Sequence, residues 1–216
     1  VKSRSIVLGT AMLGAVSLLL LLGACTLPQI GKGRGNPASA VNGSGALLER
    51  LSASGALEVG SATAPITILL VTHPSCRYCR EFHELSLSRL REDFLRTGAV
   101  RLQIVILPIK KYPESDTARR ALFCATEKGH GQAMLDSLFA ADRIDQKAVA
   151  RAVAEIGLDP AAFATCESSA TMPLIREERW MQRLGVTLVP TFIVNGEKHI
   201  GLLDYPDLRG MIEEKL

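Results

Sequence analysis

Cys76 and Cys79 stand in the tetrapeptide Cys76-Arg77-Tyr78-Cys79, and a pair at that spacing supports two kinds of chemistry. It can cycle between dithiol and disulfide, or it can give two thiolates to a metal ion. The flanking residues bear on the choice. Residues 66–71 (Ile-Thr-Ile-Leu-Leu-Val) are short, apolar and β-branched, as a strand buried on both faces would be, and His73-Pro74-Ser75 ends the run. From Cys76 to about Thr97 the apolar residues Phe82, Leu85, Leu90 and Phe94 favour one side of a helix, and Gly98 closes it. Cys76 then falls at a helix N-terminus, where unpaired backbone N–H groups and the macrodipole favour a negative sulfur. Arg77 adds a positive charge beside it. Only a thiolate attacks a disulfide. Cys76 is the expected nucleophile, and Cys79, one turn further in, is the expected resolving cysteine of a mixed disulfide.

The competing class is a copper- or zinc-binding module. His73, Cys76, Cys79 and His83 have metal-like spacing, and Cys79 and His83 lie i,i+4 on one helix face. A metal site also needs ligands that converge in space, so His73 and His83 read better as polar residues at the helix entrance. No metal and no cofactor beyond the redox-active Cys76–Cys79 pair is expected. Around that pair, Tyr78 could touch substrate or stand as an exposed turn residue. Glu81 reads as a surface carboxylate and Trp180 as a core residue. Lys110, Lys111, Arg119 and Arg120 read as a solvated face.

The elements that must position this pair follow from periodicity. Residues 100–107 form a second apolar strand, closed by Pro108, so strand, helix and strand make a βαβ unit with parallel strands. A helical stretch runs from about 115 to 184. Residues 191–194 and 198–200 flank Asn195-Gly196, a two-residue hairpin signal, and Asp204-Tyr205-Pro206 opens a last helix. The expected class is α/β, a central sheet with flanking helices and an α-helical insertion, about 112–184, between the βαβ unit and the C-terminal hairpin and helix.

Net charge is +3 over 216 residues, with 47% hydrophobic residues. Without the first 24 residues, whose charges are Lys2 and Arg4, the balance is nearly neutral, which gives no electrostatic case for nucleic acid. Those 24 residues are basic, then apolar from Ile6 to Leu22, then small, the order of a secretory signal peptide. Leu22-Gly23-Ala24-Cys25 resembles a bacterial lipobox, which implies a lipid on Cys25 and attachment to the periplasmic side of a bacterial membrane. Thr26, which is not aspartate, leans toward the outer membrane. Residues 25–59 read as a flexible tether, with a possible short helix at 46–54 carrying Leu47, Leu48 and Leu51, and the folded domain as 60–216.

The chain resembles the DsbA-like branch of the thioredoxin superfamily. The resemblance lies in Ala64-Pro65-Ile66-Thr67-Ile68, Cys76-Arg77-Tyr78-Cys79-Arg80-Glu81-Phe82 and the run Gly185-Val186-Thr187-Leu188-Val189-Pro190-Thr191-Phe192-Ile193-Val194-Asn195-Gly196. It implies a thioredoxin-like fold with a helical insertion and a cis Pro190 facing the cysteines, with Val189, Arg77 and Tyr78 as active-site neighbours. It implies a thiol–disulfide oxidoreductase acting on unfolded or partly folded exported proteins and recycled by a membrane redox partner. Arg77 replaces the proline many DsbA-like members carry after the first cysteine, while Val189 is closer to oxidases than to isomerases. A disulfide-forming oxidase is preferred over an isomerase or reductase of the same fold. Cys124 and Cys166 admit two readings, buried free thiols or a disulfide; an oxidising compartment favours the disulfide.

Overall fold

The computed structural model describes residues 40–216. Residues 1–24, Cys25 and the first part of the tether lie outside the described residues. Among the described residues no helix is long and apolar enough to cross a membrane.

The strand expected at 66–71 is β3 (Ile66–Thr72), and the one expected at 100–107 is β4 (Val100–Ile106). They pair in parallel, Ile66 opposite Val100 and Thr72 opposite Ile106. β3 buries both faces, as its unbroken apolar run requires. Ile66, Ile68 and Leu70 enter the main core, while Leu69 and Val71 enter a second cluster with Val105, Leu107, Met181 and Val186. The segment after Cys76 is not one continuous helix. α1 (Arg77–Leu85) ends at buried Ser86, α2 (Leu87–Leu90) follows, and a π turn spans Arg91–Leu95. The break lets Leu87, Leu90, Phe94 and Leu95 all face the core.

The insertion is five helices: α3 (Ser115–Glu127), α4 (Gly131–Ala140), α5 (Gln146–Glu155), α6 (Pro160–Ser169) and α7 (Thr171–Arg183). Asp145 and Asp159 cap α5 and α6 by accepting from the N–H groups of Ala148 and Ala162. β5 (Thr191–Val194) and β6 (Glu197–Ile200) form the hairpin, and its turn residues Asn195 and Gly196 both have positive φ, 47° and 93°, as a type I′ turn demands. α8 (Tyr205–Glu213) starts with Asp204 accepting from the Asp207 N–H at 2.9 Å. This is the expected thioredoxin-like α/β architecture with its helical insertion.

The tether boundary and the short helix at 46–54 are corrected by the structure. Residues 49–51 are a strand, β1 (Glu49–Leu51), paired antiparallel with β2 (Leu57–Gly60), which pairs with β4. The sheet has six strands in the order β1-β2-β4-β3-β5-β6. Gly55, at φ 94°, turns the chain between β1 and β2, and Leu47 and Leu57 are buried in the main core. Ser54-Gly55 between two alternating segments was a hairpin signal; three leucines at helical spacing obscured it. Glu49 also explains why the segment stays with the domain. Its carboxylate accepts from the N–H groups of Gly131 (2.5 Å) and Gln132 (3.0 Å) at the start of α4, satisfying donors that a helix N-terminus leaves unpaired. Glu49→Ala is expected to lower stability by about 1–2 kcal/mol, read by urea denaturation; an unchanged midpoint would show the cap to be dispensable.

Candidate active site

Because β3 and β4 are parallel, their C-terminal ends open on the same edge of the sheet, where α/β folds place their sites. Residues 73–79 leave one strand and residues 107–115 the other, and they meet there. Cys76 is the N-cap of α1, with extended backbone (φ −88°, ψ 124°), and Cys79 sits in the first turn. Both are free thiols. Both are buried, Cys76 less completely (7% exposed) than Cys79 (1%). Arg77 and Tyr78 between them are exposed.

The sulfurs differ in protonation as well as access. Burial pushes the Cys79 thiol up to about 12; the Thr72 hydroxyl opposes this and the neighbouring Cys76 sulfur adds to it. Cys79 is therefore a neutral thiol at physiological pH. The loop before β5 crosses directly over the pair. The Val189–Pro190 peptide bond is cis, and the Val189 carbonyl lies 3.7 Å from the Cys76 sulfur. Beneath, Phe82 of α1 meets Phe192 of β5 edge to face, with centroids 4.8 Å apart, which fixes helix and loop to one another.

His73 and His83 have partners other than the sulfurs. His73 Nδ1 accepts from the Ser75 N–H (3.1 Å), so its Nε2–H donates to Ser115 Oγ at 2.9 Å, and its ring stacks on Tyr112. His83 Nε2 is 2.9 Å from Asp136 and its ring stacks on Phe139. Among the described residues no three His, Cys, Asp or Glu side chains are grouped to hold a metal ion. The Cys79–His83 spacing is that of one helix face, but His83 is drawn to the insertion. Arg80 is drawn there too, donating to the carbonyls of Phe139 and Ala141 at the end of α4.

Three nearby residues escaped the sequence reading. Ser75 donates to the Glu114 carboxylate just before Cys76. Burial, the largest single influence, raises the Glu114 carboxyl, but the Ser75 hydroxyl, the Glu114 backbone N–H and the charge of His73 together hold it below the usual value. The Tyr112 phenol is raised by burial and then by its electrostatic interaction with the Cys76 and Cys79 sulfurs and Glu114. For Tyr112 and Glu114, position after a strand parallel to the one that precedes Cys76 was the available signal; for Ser75 it was adjacency to Cys76. Arg119 corrects the reading of a solvated face: it is 6% exposed, donates to the Leu174 carbonyl at 2.8 Å and pairs with Glu177 at 3.3 Å. Cys124 and Cys166 form a disulfide joining α3 to α6, with both cysteines buried.

With this geometry, the comparisons with known proteins are specific. A family model described as thioredoxin matches residues 52–214. The chain belongs to the thioredoxin family. Three solved structures share its fold. A thioredoxin-like oxidoreductase from Silicibacter pomeroyi DSS-3 has TM-score 0.64 at 23% identity, covering 74% of this chain and 91% of that one. α-DsbA1 of Wolbachia pipientis has TM-score 0.63 at 18% identity, covering 73% and 88%. Oxidised BdbD of Bacillus subtilis has TM-score 0.65 at 18% identity, covering 78% and 96%. No curated protein sequence matches the chain. The family match and the helices inserted between β4 and β5 make this a thioredoxin-family chain that shares its fold with these DsbA-type structures.

Two buried groups titrate in opposite senses and give a pH prediction. Burial lowers His73 from 6.5 to about 4, against the charge of Glu114. Between pH 6.5 and 4 the unfolded chain binds a proton that the native state refuses, so stability falls as pH falls, by about 3 kcal/mol in total. Burial raises Glu177 from 4.5 to about 7 despite Arg119. Between pH 7 and 4.5 the native state holds a proton that the unfolded chain lacks, so this group adds stability as pH falls. Glu177→Gln removes the second effect alone. Its unfolding free energy should drop more steeply than the wild type's between pH 7 and 4.5; parallel profiles would refute the assignment.

Proposed function

We propose that this protein exchanges disulfides with exported proteins, through a mixed disulfide on Cys76 that Cys79 can resolve, and that it works chiefly as a disulfide-forming oxidase. The observation that carries this reading is the asymmetry of the pair: Cys76 the less buried, beneath the Val189 carbonyl, Cys79 fully buried and raised to about 12. In the oxidising direction a substrate thiolate attacks the Cys76 sulfur of the Cys76–Cys79 disulfide and expels Cys79. Burial, the largest cause of the Cys79 shift, persists in the mixed disulfide, so the expelled sulfur takes a proton and rarely returns. A second substrate thiolate then attacks the substrate's own sulfur, forms the substrate disulfide and releases Cys76 as a thiolate. Two electrons have passed from substrate to the pair, and reoxidation needs a membrane redox partner. An isomerase or reductase needs prompt resolution by Cys79, which that protonation disfavours.

Pro190 is proposed to hold the Val189 carbonyl where the backbone of a bound peptide can pair with it. The surface around Cys76 suits an unfolded chain. Tyr78, Leu188 and Leu85 are 54%, 57% and 64% exposed, and a mixed cleft between α1 and the turn before α8 sets Leu85, Leu202 and Tyr205 beside Glu81, Arg89 and Asp204. The Cys124–Cys166 disulfide supports an oxidising, extracytoplasmic compartment. The lipobox-like sequence supports attachment through lipid on Cys25, with the outer membrane favoured. Equilibration of Cys76/Cys79 with glutathione buffers tests the direction. A reduction potential above about −200 mV is expected, and one near −270 mV would make the protein a reductase.

A further inference from the structure

α7 sorts its charges by face. Its two acids both turn to the buried guanidinium of Arg119: Glu177 lies 3.3 Å from Nη2 and Glu178 3.5 Å from Nη1. Its basic residues Arg176, Arg179 and Arg183, at positions i, i+3 and i+7, line one cleft of about 510 Å³ with Trp180, Ala53 and Ser54. No hydrogen bond or ion pair engages any of the three arginines among the described residues. Nor is Arg183 needed at the helix C-terminus. Lys198 serves there, its Nζ donating to the carbonyls of Leu184 (2.5 Å) and Gly185 (3.2 Å).

The cleft walls are built. Trp180 is half-buried against the second core cluster. The opposite wall is the β1–β2 turn, where Ser52 Oγ accepts from the Ala56 N–H at 3.0 Å and meets Ser54 Oγ at 2.9 Å. At Gly55 a Cβ would come within 3.6 Å of Glu177 Cβ, so turn and helix are in close approach. Arg176, Arg179 and Arg183 are exposed, and their guanidinium groups line one cleft with no counter-charge bonded to them among the described residues, so an anion bound there lowers their mutual repulsion. A carboxylate occupies one guanidinium fork, whereas a phosphate offers oxygens to several at once.

We propose that the Arg176–Arg179–Arg183 cleft binds a phosphate-bearing anion, either the headgroup of an anionic lipid or a soluble phosphate compound. The site is separate from Cys76 and independent of the direction of electron flow. Trp180 is the chain's single tryptophan, so its fluorescence reports this cleft alone. The test titrates the full chain with inorganic pyrophosphate, then with phosphatidylcholine vesicles with and without phosphatidylglycerol. Saturable, salt-sensitive pyrophosphate binding is expected, weakened about tenfold or more in the triple variant R176Q/R179Q/R183Q. The variant should keep the wild-type rate of disulfide exchange, which shows that it is folded. A preference for phosphatidylglycerol vesicles that the variant loses identifies the lipid headgroup as the source. Pyrophosphate binding without that preference identifies a soluble compound. Absence of both, or binding equal in wild type and variant, overturns the proposal.

Discussion

Cys76→Ser abolishes exchange, lowering the oxidation rate of a reduced, unfolded substrate by about a thousandfold or more, as expected for removal of a nucleophile. Cys79→Ser has a different phenotype. Cys76 is the less buried of the two, so with a disulfide-bearing substrate this variant's Cys76 thiolate attacks one substrate sulfur and releases the other as a thiolate, and the mixed disulfide accumulates because the thiol that resolves it is missing. Non-reducing gels and intact mass measure both outcomes. The contrast rests on the different burial of two sulfurs one helical turn apart. Equal residual turnover in the two variants, or adducts on Cys79 in Cys76→Ser, would remove the assigned roles. Serine preserves the N-cap position of Cys76 and nearly the volume of the thiol at position 79, so neither change should unfold the domain.

Replacing Cys124 and Cys166 together by alanine costs about 4 kcal/mol in the chain-entropy account, given a separation of 42 residues. In a domain of this size that corresponds to a fall of roughly 10 °C in Tm. The bond ties α3, which carries Ser115 behind His73, to α6. Its loss is expected to loosen the insertion while Cys76 retains exchange activity at low temperature. Scanning calorimetry of the double variant beside the wild type reads the first effect, and a substrate oxidation assay at about 15 °C the second. A Tm within a degree or two of wild type would leave the disulfide without a stabilising role.

Much of the site was legible because its signals are local. Cys76 and Cys79 bring their own spacing, and the apolar run before them and the helical periodicity after them place the pair at a strand-to-helix junction. Asn195-Gly196 announces its hairpin through positive φ at both residues. The rest depended on partners distant in sequence. Glu49 belongs to a strand because β2 pairs with it and α4 needs its carboxylate, and neither condition is visible within residues 46–54. Arg119 looked like a solvated charge until α7 supplied Glu177.

By itself the amino-acid sequence determined the chemistry available here: a dithiol at a helix N-terminus, a βαβ unit beneath it and a proline loop before a hairpin. Only the tertiary structure decided how that chemistry is divided. The parallel pairing of β3 and β4 brings Tyr112 and Glu114 to the cysteines. Packing buries Cys79 more deeply than Cys76, and the desolvation that follows holds Cys79 as a thiol near 12. Accessibility and desolvation are properties of packed neighbours, and so Cys76-Arg77-Tyr78-Cys79 names the reacting atoms while the fold around it assigns their roles.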